Sequence, residues 1–200
     1  MNILIGCEYS GRTREAFRKL GHNVISCDLL PSEDNSPFHY QGDVFELIKS
    51  KGKGYFDLAI FHPPCTYLTN SGVRWLYNAD KSLNEERWEK MREGAEFFKK
   101  LLEVDIPKIV IENPIMHSHA KKIIGVDQSQ VIQPWMFGHG ETKATCLWLR
   151  GLPLLKPTNI VEGREQKMWK LSPSPTRWKE RSRTYQGISD ALAEQYSVLL

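Results

Sequence analysis

The chain has 200 residues, 40% hydrophobic and 26% charged, with a net charge of +3. It can bury about 70% of the surface of its unfolded form but is too short for two domains of ordinary size. The composition excludes a disordered chain, no apolar run reaches the ~20 residues of a membrane span, and Met1 to Gly6 lacks the basic flank and length of a signal peptide, so a cytoplasmic location is expected.

Asn2 to Cys7 is a short apolar run, and Arg12 to Leu20 follows with Ala16, Phe17 and Leu20 at helical spacing, which predicts strand, loop and helix. Gly21 stands at a C-cap position, and Asn23 to Asp28 is a second buried strand closing on an acid. A short strand is expected near His39 to Gly42, with Asp43 opening a helix through Lys49. The apolar strand Tyr55 to Phe61 stops at His62-Pro63-Pro64-Cys65, because successive prolines cannot continue a central ladder. Trp88, Met91, Ala95, Phe98 and Leu102 share one stripe of a long helix over Glu85 to Leu102, and Lys108 to Glu112 is a strand halted by Asn113-Pro114. Val131 to Trp135 and Thr145 to Leu149 are strand-like, and their link of about ten residues is too short for a helical crossover, so they should pair antiparallel. Ile188 to Leu199 closes the chain as an amphipathic helix.

This alternation predicts an α/β fold: a mostly parallel, doubly wound sheet with one antiparallel late strand. Residues 1–150 form the core, 151–183 a short basic segment, and 184–200 a helix completing the core. Ligands in such sheets sit beyond the carboxyl ends of the strands. Gly6 to Gly11, Asp28, Asp43, His62 to Cys65 and Glu112-Asn113 all fall there. The first loop is not a G-x-G-x-x-G cradle and carries Glu8, which would repel a pyrophosphate. An acid after the second strand suits ribose hydroxyls, so a nucleoside-like ligand without pyrophosphate, such as S-adenosylmethionine, fits; Asp28 could equally cap a turn.

Cys65 lies on a loop stiffened by two prolines, which suits a positioned nucleophile as well as an inert thiol. Glu112 emerges from the apolar run Ile109 to Ile111, where partial burial would raise its pKa and let it donate a proton near neutrality. Arg150 to Arg183 holds nine Lys/Arg against three acids, a local +6, so the rest of the chain carries −3. With Trp169, Trp178 and Tyr185 interleaved, that stretch suits either a nucleic acid or a solvated cover for the core. The four cysteines have no C-x-x-C spacing, and of the His/Cys set only His117 and His119 are closely spaced, so no disulfide or metal site is expected.

Pro64-Cys65 and Glu112-Asn113-Pro114, in this order, resemble the Pro-Cys and Glu-Asn-Val motifs of the cytosine-C5 DNA methyltransferases, in a minimal form similar to small phage and prophage proteins. The resemblance implies a Rossmann-like class I methyltransferase fold with S-adenosylmethionine as cofactor. It places the cofactor on Gly6, Glu8, Tyr9, Ser10 and Gly11, on Asp28, Leu29, Asp43 and Val44, on His62 and Pro63, and on Ser189 in a degenerate final motif. Catalysis falls to Cys65 as nucleophile and Glu112 at the base. Substrate contacts fall to Pro64, Asn70, Arg74 and Asn113, to Lys143 in place of an arginine motif, and to Lys167, Lys170 and Lys179. The partner implied is DNA or another cytosine-containing nucleic acid or nucleotide. The chain departs from the family in lacking a large target-recognition domain. Methylation of a free pyrimidine nucleotide or single strand, amino methylation on a loop resembling Asp-Pro-Pro-Tyr, and nucleic-acid binding without turnover stay open.

Overall fold

Apolar strands without alternation have to be covered on both faces. In the computed structural model of the chain, Ile3, Leu4, Ile5 and Leu58 to Phe61 are all fully buried. The structure describes residues 1–167, 172, 174 and 177–199. In chain order these form β1 (Asn2–Gly6), α1 (Arg12–Lys19), β2 (Asn23–Asp28), β3 (His39–Gln41), α2 (Val44–Lys51), β4 (Leu58–Phe61), α3 (Glu85–Glu103), β5 (Lys108–Pro114), α4 (Ser118–Ile124), β6 (Gln130–Ile132), β7 (Thr145–Arg150), α5 (Arg177–Ser182) and α6 (Gln186–Ser197). Short 3-10 helices span Asn70–Leu76 and Pro134–Met136.

Among the described residues the strands form one seven-stranded sheet in the order β3-β2-β1-β4-β5-β7-β6. β1 to β5 pair in parallel, and β7 runs antiparallel to both β5 and β6. Alternate residues of one strand serve opposite layers. Leu4 faces Leu47, Met91, Phe98 and Ala120 from α2, α3 and α4, whereas Ile3 and Ile5 face Phe17 of α1 and Leu192 and Tyr196 of α6. No described helix is long and apolar enough to cross a membrane.

Several boundaries differ from the sequence reading. β6 stops at Ile132 because Pro134 has no N–H for a ladder and opens a 3-10 turn instead. β5 runs through Pro114, past the expected halt. Its pairing with β4 ends at Ile111, and beyond that point β7 alone flanks it, which leaves a side where proline is tolerated. α4 was not foreseen: its cap is His117, whose Nδ1 accepts from the Ala120 N–H at 3.1 Å, an unusual residue in that position.

Candidate active site

The strand order reverses direction between β1 and β4, which opens a crevice at their carboxyl ends. Gly6 ends β1 there, and a side chain at this position would run into the Phe61 ring. α1 begins behind Gly11, in the left-handed region at φ 72°, with no capping side chain of its own. Glu8 takes that role. Buried at 5% exposure, its carboxylate accepts from the Thr13 N–H at 2.7 Å and the Arg14 N–H at 3.2 Å. The positive end of α1 is thereby occupied by a protein carboxylate and is closed to phosphate.

The residues expected at a cofactor divide into two groups. Asp28 accepts from the Leu30 N–H at 2.9 Å, and burial pushes its carboxyl above the ordinary value. Leu29 beside it is 73% exposed, an apolar side chain left open at the crevice rim. Asp43 caps α2 by accepting from Phe45 and Glu46, and Val44 is buried, so it offers main chain only. An acid, an exposed leucine and a helix end already taken by Glu8 fit an adenosine lacking phosphates. The other group is engaged elsewhere. The Tyr9 hydroxyl lies 3.0 Å from Ser182 Oγ and 3.2 Å from the Lys179 carbonyl, pinning α5, while Ser10 Oγ leans on Glu8 at 3.5 Å. Ser189, fully buried, joins Thr13 Oγ1 at 3.1 Å and so ties α6 to α1.

Beyond β4 the loop is fastened at each step. His62 N–H donates to the Gly6 carbonyl at 2.9 Å, Asn113 Nδ2 donates to the buried Pro63 carbonyl at 3.0 Å, and the Cys65 carbonyl accepts from Leu68 and Thr69. Asn113, expected at substrate, is thus a clamp on the loop that carries Cys65. Pro64 is exposed beside the half-buried Cys65. Burial and the neighbouring Glu112 charge push the Cys65 thiol up, while Lys143 and Arg181 oppose them. The His62 ring, placed at the cofactor by the family resemblance, turns to Glu112, its Nδ1 3.0 Å from Oε2.

That contact corrects the expectation for Glu112. Burial alone would raise its pKa, as the sequence implied, but the hydrogen bond and charge of His62, with Lys143, outweigh burial and hold the carboxyl below its ordinary value. Burial likewise opposes charge on His62, yet Glu112, aided by Glu8, holds the imidazole above its ordinary value. Each group thus favours the charged form of the other.

The remaining expected substrate residues are spread around this centre. Lys143 Nζ donates to the Arg181 carbonyl at 2.9 Å while its charge acts on Glu112 and Cys65. Asn70 and Arg74 are exposed on the 3-10 segment after Cys65, and the Arg74 guanidinium lies 4.4 Å from the Trp75 ring centre. Lys167 is exposed 3.5 Å from Glu141, and Lys179 sits on α5 beside Trp178. Lys170 and Trp169 lie outside the described residues. Sequence reasoning missed Thr13, Thr184 and Arg181. Thr13 is inside α1, not at a strand end, and no spacing signal marks the other two. Among the described residues no cluster of three or more His, Cys, Asp or Glu could hold a metal ion.

No protein-family profile and no curated protein matches the chain. Similar solved structures exist. A protein assigned as a DNA modification methyltransferase encoded within an Escherichia coli prophage superposes with a TM-score of 0.51 at 15% identity, over 86% of this chain and 55% of that one. The Entamoeba histolytica methyltransferase EhMeth gives 0.49 at 15% identity over 87% and 60%, and the S. pombe methyltransferase Dnmt2 gives 0.48 at 12% over 88% and 57%. The chain therefore spans little more than half the length of these proteins. Its fold is the mostly parallel, Rossmann-like sheet of the prophage methyltransferase.

Proposed function

We propose that the chain is an S-adenosylmethionine-dependent methyltransferase acting on carbon 5 of cytosine in DNA. The observation that carries this reading is Cys65, held by the Pro63-Pro64 loop at the end of β4 and lying within the field of Glu112 at the end of neighbouring β5. The likeness in fold to the prophage DNA modification methyltransferase supports the same direction. The crevice residues Gly6, Asp28, Leu29 and Asp43 would hold the adenosine. When bound, S-adenosylmethionine supplies an electrophilic methyl carbon.

Carbon 5 of cytosine is too weak a nucleophile to take that methyl group unaided. The Cys65 thiolate adds at carbon 6, and Glu112 meets ring nitrogen 3, where the displaced charge collects. Lys143 and Arg181 favour the thiolate against burial. Loss of the carbon 5 proton and departure of the thiolate restore the aromatic ring. A duplex substrate must present its cytosine flipped out of the stack. With only residues 151–183 where the family has a recognition domain, their lysines and arginines would grip phosphates more readily than they read bases.

The test is transfer of tritiated methyl from S-adenosylmethionine to DNA, followed by mass spectrometry of the nucleosides. We expect 5-methylcytosine, abolished by Cys65→Ala while cofactor binding is retained. Full activity in Cys65→Ala would refute the reading. One observation favours a second reading, methylation of an exocyclic amino group: the Cys65 thiol is held up by burial. N4-methylcytosine or N6-methyladenine in the same assay would select it.

A further inference from the structure

His62 brings together groups from three other parts of the chain. Its Nδ1 lies 3.0 Å from Glu112 Oε2 on β5 and 3.3 Å from Thr184 Oγ1 ahead of α6, and its Nε2 lies 3.5 Å from Thr13 Oγ1 on α1. The His62 and Glu112 side chains are only 7% and 11% exposed. The backbone is fixed as well, by the N–H bond to Gly6 and by Pro63 immediately after.

We propose that His62 is the proton store of Glu112, holding on Nδ1 the proton that reaches ring nitrogen 3 when Cys65 bonds to carbon 6. This rests on the roles of Cys65 and Glu112 proposed above. His62 acts through Glu112 and is a positioning residue.

The surroundings satisfy the ring both before and after it gives up the proton. Beforehand, Nδ1–H donates to Glu112 and Nε2–H donates to Thr13, whose hydroxyl passes on to Ser189 at 3.1 Å. Afterwards, Nε2–H still donates to Thr13, and the bare Nδ1 accepts from the Thr184 hydroxyl, which can donate or accept as required. A histidine serving only to anchor Glu112 has no need of that second partner. The charged groups acting on the ring are Glu112 from β5, Glu8 from the loop after β1, and Lys143 from the segment before β7. The two carboxylates hold the proton on the ring, and Lys143 opposes them.

The transfer balances without a further reactant. As the Cys65 thiolate forms its bond to carbon 6, electron density moves to nitrogen 3. The N–H bond at Nδ1 breaks and an N–H bond forms at nitrogen 3. Glu112 relays the proton and ends ionised, as it began; His62 ends neutral, and the summed charge of site and base is unchanged. Departure of the thiolate returns the proton along the same path.

The experiment compares wild type with His62→Asn, whose amide can still donate to Glu112 but cannot store a proton. Methyl transfer to cytosine by the variant should fall about ten-fold for each pH unit above the carboxyl range, while the wild type stays level past neutrality and KM for DNA changes less than about two-fold. Nitrogen-15 NMR of the wild-type imidazole supplies a readout that needs no variant: the ring should be cationic at neutral pH in the free protein and neutral in the adduct trapped on 5-fluorocytosine DNA. Parallel pH profiles for wild type and His62→Asn, or a ring that stays cationic in the adduct, would overturn the proton store while leaving the methyltransferase reading intact. Failure of the wild type to form any adduct would instead overturn that reading and this inference with it.

Discussion

Glu33 and Arg183, 150 residues apart, meet in a paired contact: Arg183 Nε lies 3.1 Å from Oε2 and its terminal nitrogen 2.6 Å from Oε1. Together with Tyr9, the pair fastens the basic helix α5 against the carboxyl end of the sheet. Both side chains are partly solvated, so the contact contributes about 0.5 kcal/mol rather than several. Arg183→Ala should therefore speed amide exchange over 177–183 and leave β1 and β4 unchanged. Equal protection in wild type and variant would show that Tyr9 holds the helix unaided.

Arg14 carries a different weight. It is fully buried, donating from Nη1 to Ser26 at 2.9 Å and from Nε to Glu15 at 2.8 Å, with Asp34 on its other terminal nitrogen. Arg14→Ala removes all three bonds and opens a cavity under β2, which should cost about 3 kcal/mol and lower Tm by roughly 6–12 °C. Calorimetry decides the matter, and a fall below about 2 °C would mean that the arginine is dispensable to the fold.

Glu112→Gln keeps the shape of the site but removes the carboxylate proposed to relay the proton. The predicted loss in methyl transfer is about 10²- to 10⁴-fold with cofactor binding intact, measured by single turnover. A variant within a factor of about three of wild type would take Glu112 out of the chemistry.

The His62–Glu112 pair also sets a pH window for stability. Glu112 lies below its ordinary value of 4.5 in the folded chain, so its stabilisation is present above that value and is lost as pH falls through the folded value. His62 lies above its ordinary value of 6.5, so its stabilisation is complete below that value and is lost as pH rises through the folded one. The difference in urea midpoint between wild type and Glu112→Gln should peak between about pH 5 and 6.5 and shrink on both sides. A difference that stays constant from below pH 4.5 to well above pH 6.5 would exclude the ionised pair.

If the lysines of the basic stretch neutralise phosphates, each of Lys167→Ala, Lys170→Ala and Lys179→Ala should reduce the slope of log affinity against log salt by about 0.9 on duplex DNA. Unaltered slopes would make this stretch a cover for the core.

The sheet was legible where chemistry is local. β1, β4 and β5 announce themselves as apolar runs bounded by turn residues, and the short link before β7 forces the reversed strand. α4 was hidden because its cap is a histidine, and the end of β5 because a proline is admitted where one neighbour has stopped. Cys65 and Glu112 could be named from residue type and position at strand ends. The protonation of Glu112 could not, since burial is visible in a sequence, whereas a histidine 50 residues earlier arriving at 3.0 Å is not. Thr184 likewise acquires its place only when α6 docks on α1.

The carboxylate of Glu8, lodged at the start of α1, bears on life in a crowded metabolite pool. Adenine nucleotides share the adenosine proposed for the crevice, but their phosphates would meet a fixed negative group where most nucleotide pockets present bare amides. A protein built this way should keep its pocket clear of ATP and dinucleotides without needing a gate to exclude them.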